Sequence, residues 1–207
     1  MSLIDLVWPH AGKESEDTYL EGDISQIDTA TWGDETIVFL DEARRLRDVE
    51  NSRKTTAETK SQIFLAALFA LIPILITLTE HSAFKGTMVF SFWYQTVGFI
   101  LFCVGIIYGI GAFTSSFRAL QVSAHHRVDF GEIVSSGRKK SPSEHITKEI
   151  LKSVRRDRSN INHKISYVIV TQKLAFRMAL FFLAALTLIT IVPHFDTMIA
   201  ALKSRVC

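Results

Sequence analysis

Residues 61–79 read SQIFLAALFALIPILITLT, and this stretch decides the fold because it holds 19 residues without a charge. A helix of that length rises about 28 Å at about 1.5 Å per residue, close to the thickness of the hydrocarbon core of a bilayer. Its apolar side chains cover every face, whereas the helix of a soluble protein is apolar on one face. Backbone groups find no water in lipid, so we predict a transmembrane helix here.

Two further blocks have the same character. Residues 86–117 contain no charge, and residues 174–192 contain only Arg177. We therefore predict spans at 61–79, 88–114 and 173–193. Around them we assign an acidic arm (1–35), a cytoplasmic helix (36–60), a basic cytoplasmic region with a long helix from residue 143 (115–172) and a short tail (194–207).

The expected fold class is all-α: an integral membrane protein with three transmembrane helices. Two of them continue as long cytoplasmic helices that pack as a small helical bundle. Charged residues make up 21% of the chain and the net charge is +2. These totals, with the three apolar blocks, argue against a disordered tail, a disulfide scaffold and a soluble enzyme.

The distribution of Lys and Arg predicts the orientation. Six precede the first span within residues 41–60, Lys85 alone lies between the first two spans, and twelve lie within residues 118–173. Segments rich in Lys and Arg stay in the cytoplasm. We expect a multi-pass protein of the inner membrane, with the N-terminus and residues 115–172 cytoplasmic and the C-terminus periplasmic.

Two patterns predict how the cytoplasmic helices pack. In the 36–60 helix, apolar residues recur every three or four positions: Ile37, Leu40, Ala43, Leu46 and Val49. The second helix follows the capping box Ser141-Pro142-Ser143-Glu144. Its predicted seam is Leu151, Val154, Arg158, Ile161, Ile165, Val168, Gln172 and Ala175.

Small and polar residues form a stripe along the second span, and a shorter one along the first. The second-span stripe is Ser91, Gln95, Gly98, Gly105, Gly109 and Ala112, and the first-span stripe is Ala66, Ala70 and Pro73. Small side chains allow helices to approach closely in lipid. The stripes fit helix packing within one chain, a seam between copies of the chain, or a pore-lining face.

The chemistry of coupled transport and of catalysis is missing from the sequence. No Asp or Glu lies within the three spans, whereas ion-coupled transporters use buried ionisable groups. No phosphate-binding loop, nucleophile elbow or zinc-ligand spacing occurs. We predict a protein that is not an enzyme and has no cofactor and no metal site.

Residues 115–172 carry eleven Lys and Arg against five Asp and Glu, with clusters at Arg138, Lys139, Lys140 and at Arg155, Arg156, Arg158. This excess fits an orientation signal that also contacts anionic lipid. It also fits a site for an acidic ligand such as a nucleic acid or nucleotide. A third interpretation is pairing with residues 1–35, whose net charge is −8, as an electrostatic latch.

The layout resembles small bacterial transmembrane effectors of antiphage defence, of the cyclic-nucleotide-triggered or retron-associated type. The segments that carry the resemblance are DEARRLRDVENSRKTTAETKSQIFLAALFAL, the hairpin EHSAFKG, and NINHKISYVIVTQKLAFRMALFFLAALTL. The resemblance implies a protein kept quiet by a partner, or awaiting a signal, that perturbs the inner membrane on infection. Its expected partners are the lipid bilayer and either further copies of itself or a cytoplasmic regulatory protein.

The leading hypothesis is therefore a toxin-like inner-membrane effector that permeabilises or depolarises the membrane when released or triggered. The alternative is a non-toxic scaffold or accessory subunit of a larger inner-membrane complex. Harmless overexpression together with a stoichiometric membrane partner would favour the alternative.

Overall fold

The computed structural model describes residues 8–9, 18–80, 93–121 and 130–206, except for the side chains at 34, 76, 78–80, 130, 132–133 and 192–206. The elements within this part are helices. They are α1 (Leu20–Thr29), a 3₁₀ turn (Gly33–Glu35), α2 (Thr36–Glu80), α3 (Trp93–Leu120), α4 (Phe130–Ser136) and α5 (Pro142–Val206). The predicted all-α class is confirmed.

Three of these helices, α2, α3 and α5, are long and apolar enough to cross a membrane. The chain divides into two compact units. We call residues 1–10, 62–117 and 169–207 the membrane unit, and residues 11–61 and 118–168 the charged unit. Both α2 and α5 contribute residues to each unit.

Helix α2 runs for 45 residues without interruption, with Pro73 inside it. Gly33 precedes it with a φ of +53°, a conformation that glycine adopts without steric cost. The hydroxyl of Thr36 donates to the carbonyl of Gly33 at 2.5 Å. The structure therefore agrees with the expectation that the 36–60 helix continues into the first span.

The predicted apolar face of the 36–60 helix was right at Ala43, which is buried, and wrong at its larger residues Ile37, Leu46 and Val49, which are exposed. Ile37 is 69% exposed and Val49 is 50% exposed, whereas Ala43 and Ala57 are buried. The buried face instead combines these small residues with half-buried charged ones such as Glu50. Small side chains allow the neighbouring helix to approach, so size decided burial here rather than hydrophobicity.

Helix α5 begins at Pro142, one residue before the predicted start, and continues to Val206 instead of ending near residue 193. The predicted capping bonds are not formed. Glu144 pairs with Lys148 at 3.0 Å, and within the described residues the Ser141 side chain makes no hydrogen bond. The Ser141 carbonyl accepts the first helical bond from the backbone N–H of His145 at 3.1 Å.

The predicted seam of α5 was half right within the charged unit. Ile161 and Val168 are buried, as expected. The alternate positions are shifted by one residue, because Ile150 and Lys164 are buried where Leu151 and Ile165 were predicted. The apolar pattern favoured Ile165, but Lys164 takes the buried position because a carboxylate lies opposite it.

Candidate functional site

Three glycines of the second span lie against the third span within the membrane unit. A Cβ atom built on Gly98 would lie 2.7 Å from Cγ1 of Ile189, and one on Gly105 would lie 2.6 Å from the Phe182 ring. The same atom on Gly109 would lie 2.9 Å from Sδ of Met178. Real Cβ atoms essentially never lie this close to other atoms, so a larger residue at Gly98 or Gly105 would force the facing side chain or the helices to move. Gly109 tolerates more, because the Met178 side chain opposite it is flexible.

These contacts support the first interpretation of the second-span stripe, which is helix packing within one chain. Ala112 of the same stripe is fully buried. Gln95 is half-buried, and among the described residues its Oε1 has no hydrogen-bond partner. Ser91 lies outside the described residues. The seam between copies and the pore-lining face remain predictions.

The stripe on the first span is placed differently. Ala66, Ala70 and Pro73 are all exposed, whereas the half-buried residues of this span are larger ones such as Leu68 and Leu71. Phe69 is itself 55% exposed, but its ring meets Phe113 edge to face with ring centroids 5.5 Å apart. Any seam at the small residues would thus involve a second molecule or lipid rather than the described residues of this chain.

An aromatic stack forms around Tyr108, and the sequence patterns did not indicate it. The Trp8 ring stacks on Tyr108 at a centroid distance of 5.8 Å, and Phe181 stacks on it at 5.4 Å. The Arg177 guanidinium lies 6.0 Å from the same ring, a distance at which cations are attracted to aromatic faces. A Cβ on Gly111 would lie 2.7 Å from Trp8, so this glycine makes room for the indole.

In the charged unit, α1 of the acidic arm is held to α5 by ion pairs. The Arg155 Nε–H donates to Asp23 at 2.5 Å, and Lys152 pairs with the Asp28 carboxylate. Lys148 donates to the backbone carbonyl of Asp28 at 2.9 Å. Charge complementarity predicted the pairing of the arm with the basic region, but not these partners.

The pKa values of Asp28 and Lys152 both shift because these two groups interact. The hydrogen bond from Lys152 holds the pKa of the Asp28 carboxyl below its ordinary value of 3.8. Burial alone would lower the pKa of Lys152, but its bonds to Asp28 and Glu149 outweigh that effect and raise it. Both groups therefore stay charged around neutral pH.

Another face of α5 meets α2 inside the charged unit. Lys164 is buried and donates to the Glu58 carboxylate at 2.7 Å. Arg53 donates to the side-chain oxygen of Asn162 at 3.0 Å. Helix α5 therefore joins the acidic arm to the N-terminal half of α2.

The two predicted acidic-ligand clusters differ in exposure and pairing, and their binding role stays a prediction. Arg155 is half-buried and paired with Asp23, whereas Arg156 and Arg158 are exposed. Arg138, Lys139 and Lys140 are also exposed and precede α5. A search of the described residues for three or more grouped His, Cys, Asp or Glu side chains finds no candidate metal site.

The fold defines the class: a multi-pass, all-helical membrane protein whose charged helices continue into its spans. The sequence profile of the Pycsar effector protein domain, PycTM, matches residues 43–195, about three quarters of the chain. The chain belongs to this family of transmembrane antiphage effectors, which confirms the resemblance described above. No curated protein and no solved structure shows significant similarity to it.

Proposed function

We propose that this protein depolarises or permeabilises the bacterial inner membrane when a cytoplasmic signal, a cyclic nucleotide, triggers it. The observation that carries the proposal is the family match over residues 43–195, which includes the apolar part of all three candidate spans and most of the charged helices. The protein acts without catalysis: the signal changes helix packing, and the packing change disturbs the bilayer.

The proposed orientation places the charged unit in the cytoplasm. The excess of Lys and Arg in residues 118–173 supports this side, because such segments resist translocation. Helix α5 contains both the residues that hold the arm and the third span, so a shift of this rigid helix would reach the spans. The long α2 helix provides a second route of the same kind.

In the proposed resting state, the acidic arm acts as a latch on α5. The pairs of Arg155 with Asp23 and of Lys152 with Asp28 support it. Ion pairs that remain partly open to solvent are individually weak. A competing anion or a modest helix shift can therefore release the arm, which suits a switch.

The first experiment measures membrane potential. The chain is expressed in cells that contain a potential-sensitive dye, with and without a co-expressed nucleotide cyclase, and its amount in the membrane fraction is measured in parallel. We expect depolarisation when the protein and the cyclic nucleotide accumulate together, and a smaller change when the cyclase is absent. A Gly105→Leu variant accumulated to the same level is the control, and we expect it to be inactive because its second and third spans cannot pack.

An unchanged potential while full-length wild-type protein and the cyclic nucleotide accumulate together would contradict the proposal. If that result came with co-purification of a stoichiometric membrane protein, the chain would instead be a scaffold or accessory subunit. Reporter fusions that place residues 118–168 in the periplasm would contradict the proposed orientation alone.

A further inference from the structure

A polar cavity of about 520 Å³ lies inside the charged unit, between α2 and α5. Small-molecule sites commonly enclose roughly 300–1,000 Å³. The cavity is therefore large enough for a mononucleotide and much larger than a single inorganic phosphate needs. The sequence-predicted ligand clusters at 138–140 and 155–158 contribute only Asp157, their one acidic neighbour, to its lining.

Two cations of α2 line the cavity, and neither makes an ion pair shorter than 4.0 Å among the described residues. Arg47 and Lys54 lie seven residues apart, about two helical turns, which places them on the same face. Both are half-buried. Arg47 makes no ion pair or hydrogen bond with its side chain among the described residues, and the nearest carboxylate of Lys54, on Glu58, is 4.0 Å away.

Two of the carboxylates in the lining are already neutralised by cations from outside it. Arg53 holds both oxygens of Glu50 at 2.9 Å, and Lys164 holds Glu58 at 2.7 Å. Counted together, the lining and these two cations hold four positively charged groups and three carboxylates. The cavity therefore has an excess of one positive charge, which a ligand with one negative charge would balance.

The remaining lining supplies hydrogen-bonding and apolar groups. Asn51, Thr55 and Ser153 contribute amide and hydroxyl groups to the lining. The Thr55 hydroxyl already donates to the carbonyls of Asn51 and Ser52, so its oxygen can only accept from a ligand. The Asp157 carboxylate has several lone pairs and can accept from ribose hydroxyls or a base amino group. Val154 and Ile161 provide an apolar surface for the face of a base. A cyclic phosphodiester has one negative charge, and its nucleoside provides the matching polar and flat apolar parts.

We propose that this cavity is the binding site of a 3′,5′-cyclic mononucleotide, with Arg47 and Lys54 at the phosphate. The inference rests on the proposed function, in which a cyclic nucleotide triggers the effector, and it locates that trigger. The α5 residues that line the cavity alternate along the helix with Lys152 and Arg155, which hold the acidic arm. A ligand seated between α2 and α5 would therefore act on the helix that retains the arm.

The test is equilibrium dialysis of the full-length protein in detergent against each of the four 3′,5′-cyclic mononucleotides. We compare the wild type with Arg47→Gln/Lys54→Gln. The matched control is Arg44→Gln/Lys60→Gln, which removes two cations from exposed positions of the same helix outside the cavity. We expect at least one nucleotide to bind the wild type, at least a tenfold weaker affinity in the cavity variant, and less than a twofold change in the control.

The single variant Arg47→Gln controls for misfolding, because Arg47 has no ion pair to lose among the described residues. We expect it to keep the wild-type melting temperature and to bind at least threefold more weakly. Sodium phosphate is the competing probe. Displacement only at millimolar concentrations supports a nucleotide site, whereas phosphate binding as tight as nucleotide binding would overturn it.

Failure of this inference is distinguishable from failure of the proposed function. Nucleotide binding that is equal in the wild type and the cavity variant would overturn the site while leaving the trigger in place. Binding of none of the four nucleotides would overturn the site as well, and the dye experiment would still decide whether the protein depolarises membranes. Normal nucleotide binding without depolarisation would support the binding site and contradict the proposal that the protein depolarises the membrane.

Discussion

The membrane unit and the charged unit are held together by different forces. In the membrane unit, α3 meets α5 through glycines that accept Ile189, Phe182 and Met178, and stacked rings surround Tyr108. In the charged unit, helices meet largely through ion pairs, and alanines or polar residues occupy many buried positions. The first kind of contact depends on shape, and the second on charge.

This difference assigns a role to each unit. Close packing of glycine against large side chains is insensitive to salt and pH and fails abruptly when bulk is added. Ion pairs at partly exposed positions weaken gradually with salt and with competing ions. A unit that receives an ionic signal benefits from the second kind of contact, and a unit that must stay closed in lipid benefits from the first.

The largest effect is expected for Gly105→Leu in the membrane unit. A Cβ there already lies 2.6 Å from the Phe182 ring, so a leucine forces α3 and α5 apart. We expect a loss of about 3 kcal/mol, at the upper end for overpacked cores, measured by thermal unfolding in detergent. Gly22→Leu is the control, because a Cβ at Gly22 meets nothing within 4 Å. Equal melting temperatures for the two variants would refute the role of the glycine.

A smaller loss is expected for Lys164→Met in the charged unit. The change leaves the Glu58 carboxylate with Lys54 at 4.0 Å as its remaining cation. We expect a destabilisation of about 2 kcal/mol, because the variant loses a buried ammonium and leaves the half-buried Glu58 carboxylate without its shortest ion pair. Glu58→Met added to Lys164→Met should recover part of the loss, and Arg158→Met, at an exposed position, should change little. Strict additivity in this cycle would show that the pair is not coupled.

Asp23→Arg tests the latch with a smaller expected change. The variant places two guanidinium groups together where Asp23 now accepts from Arg155, and both positions are partly exposed. We expect a weakening of about 1 kcal/mol or less, seen as faster hydrogen exchange of the α1 amides and stronger depolarisation in the dye experiment. Adding Arg155→Asp should restore slow exchange, and a failure of this reciprocal swap would indicate that the arm is held in another way.

The smallest effect is the pH dependence of the Asp28–Lys152 pair. The lowered pKa of Asp28 makes the pair stabilising above the ordinary value of 3.8, and that stabilisation is lost as pH falls through the lower folded pKa. The raised pKa of Lys152 keeps the pair intact up to alkaline pH, above its ordinary 10.5. Protection factors of α1 should therefore be flat from about pH 5 to about pH 9 and fall in stronger acid. Asp28→Asn should remove the acid-dependent fall, and an unchanged fall in that variant would assign it to other groups.

Particular residues show why parts of the site could not be predicted. The spacing at Gly98, Gly105 and Gly109 identified a close-packing face, but the partner helix was unknown until the span geometry was available. Trp8 lies far along the chain from Tyr108, and no periodic pattern joins them. Arg47 and Lys54 looked like part of an orientation signal, because the cavity beside them exists only once α5 is in place.

The sequence by itself determined that the chain has three helical spans, that long charged helices continue from two of them, and that an acidic arm complements a basic region. Those properties follow from the length, hydropathy and charge of continuous segments, so each can be worked out without knowing how distant segments pack. The tertiary structure decided which face of each helix is buried, which carboxylate meets which cation, and where a cavity remains. These outcomes depend on the fit between segments distant in sequence, where one residue of helical rotation moves a side chain by about 100° and exchanges Ile165 for Lys164 at the buried position.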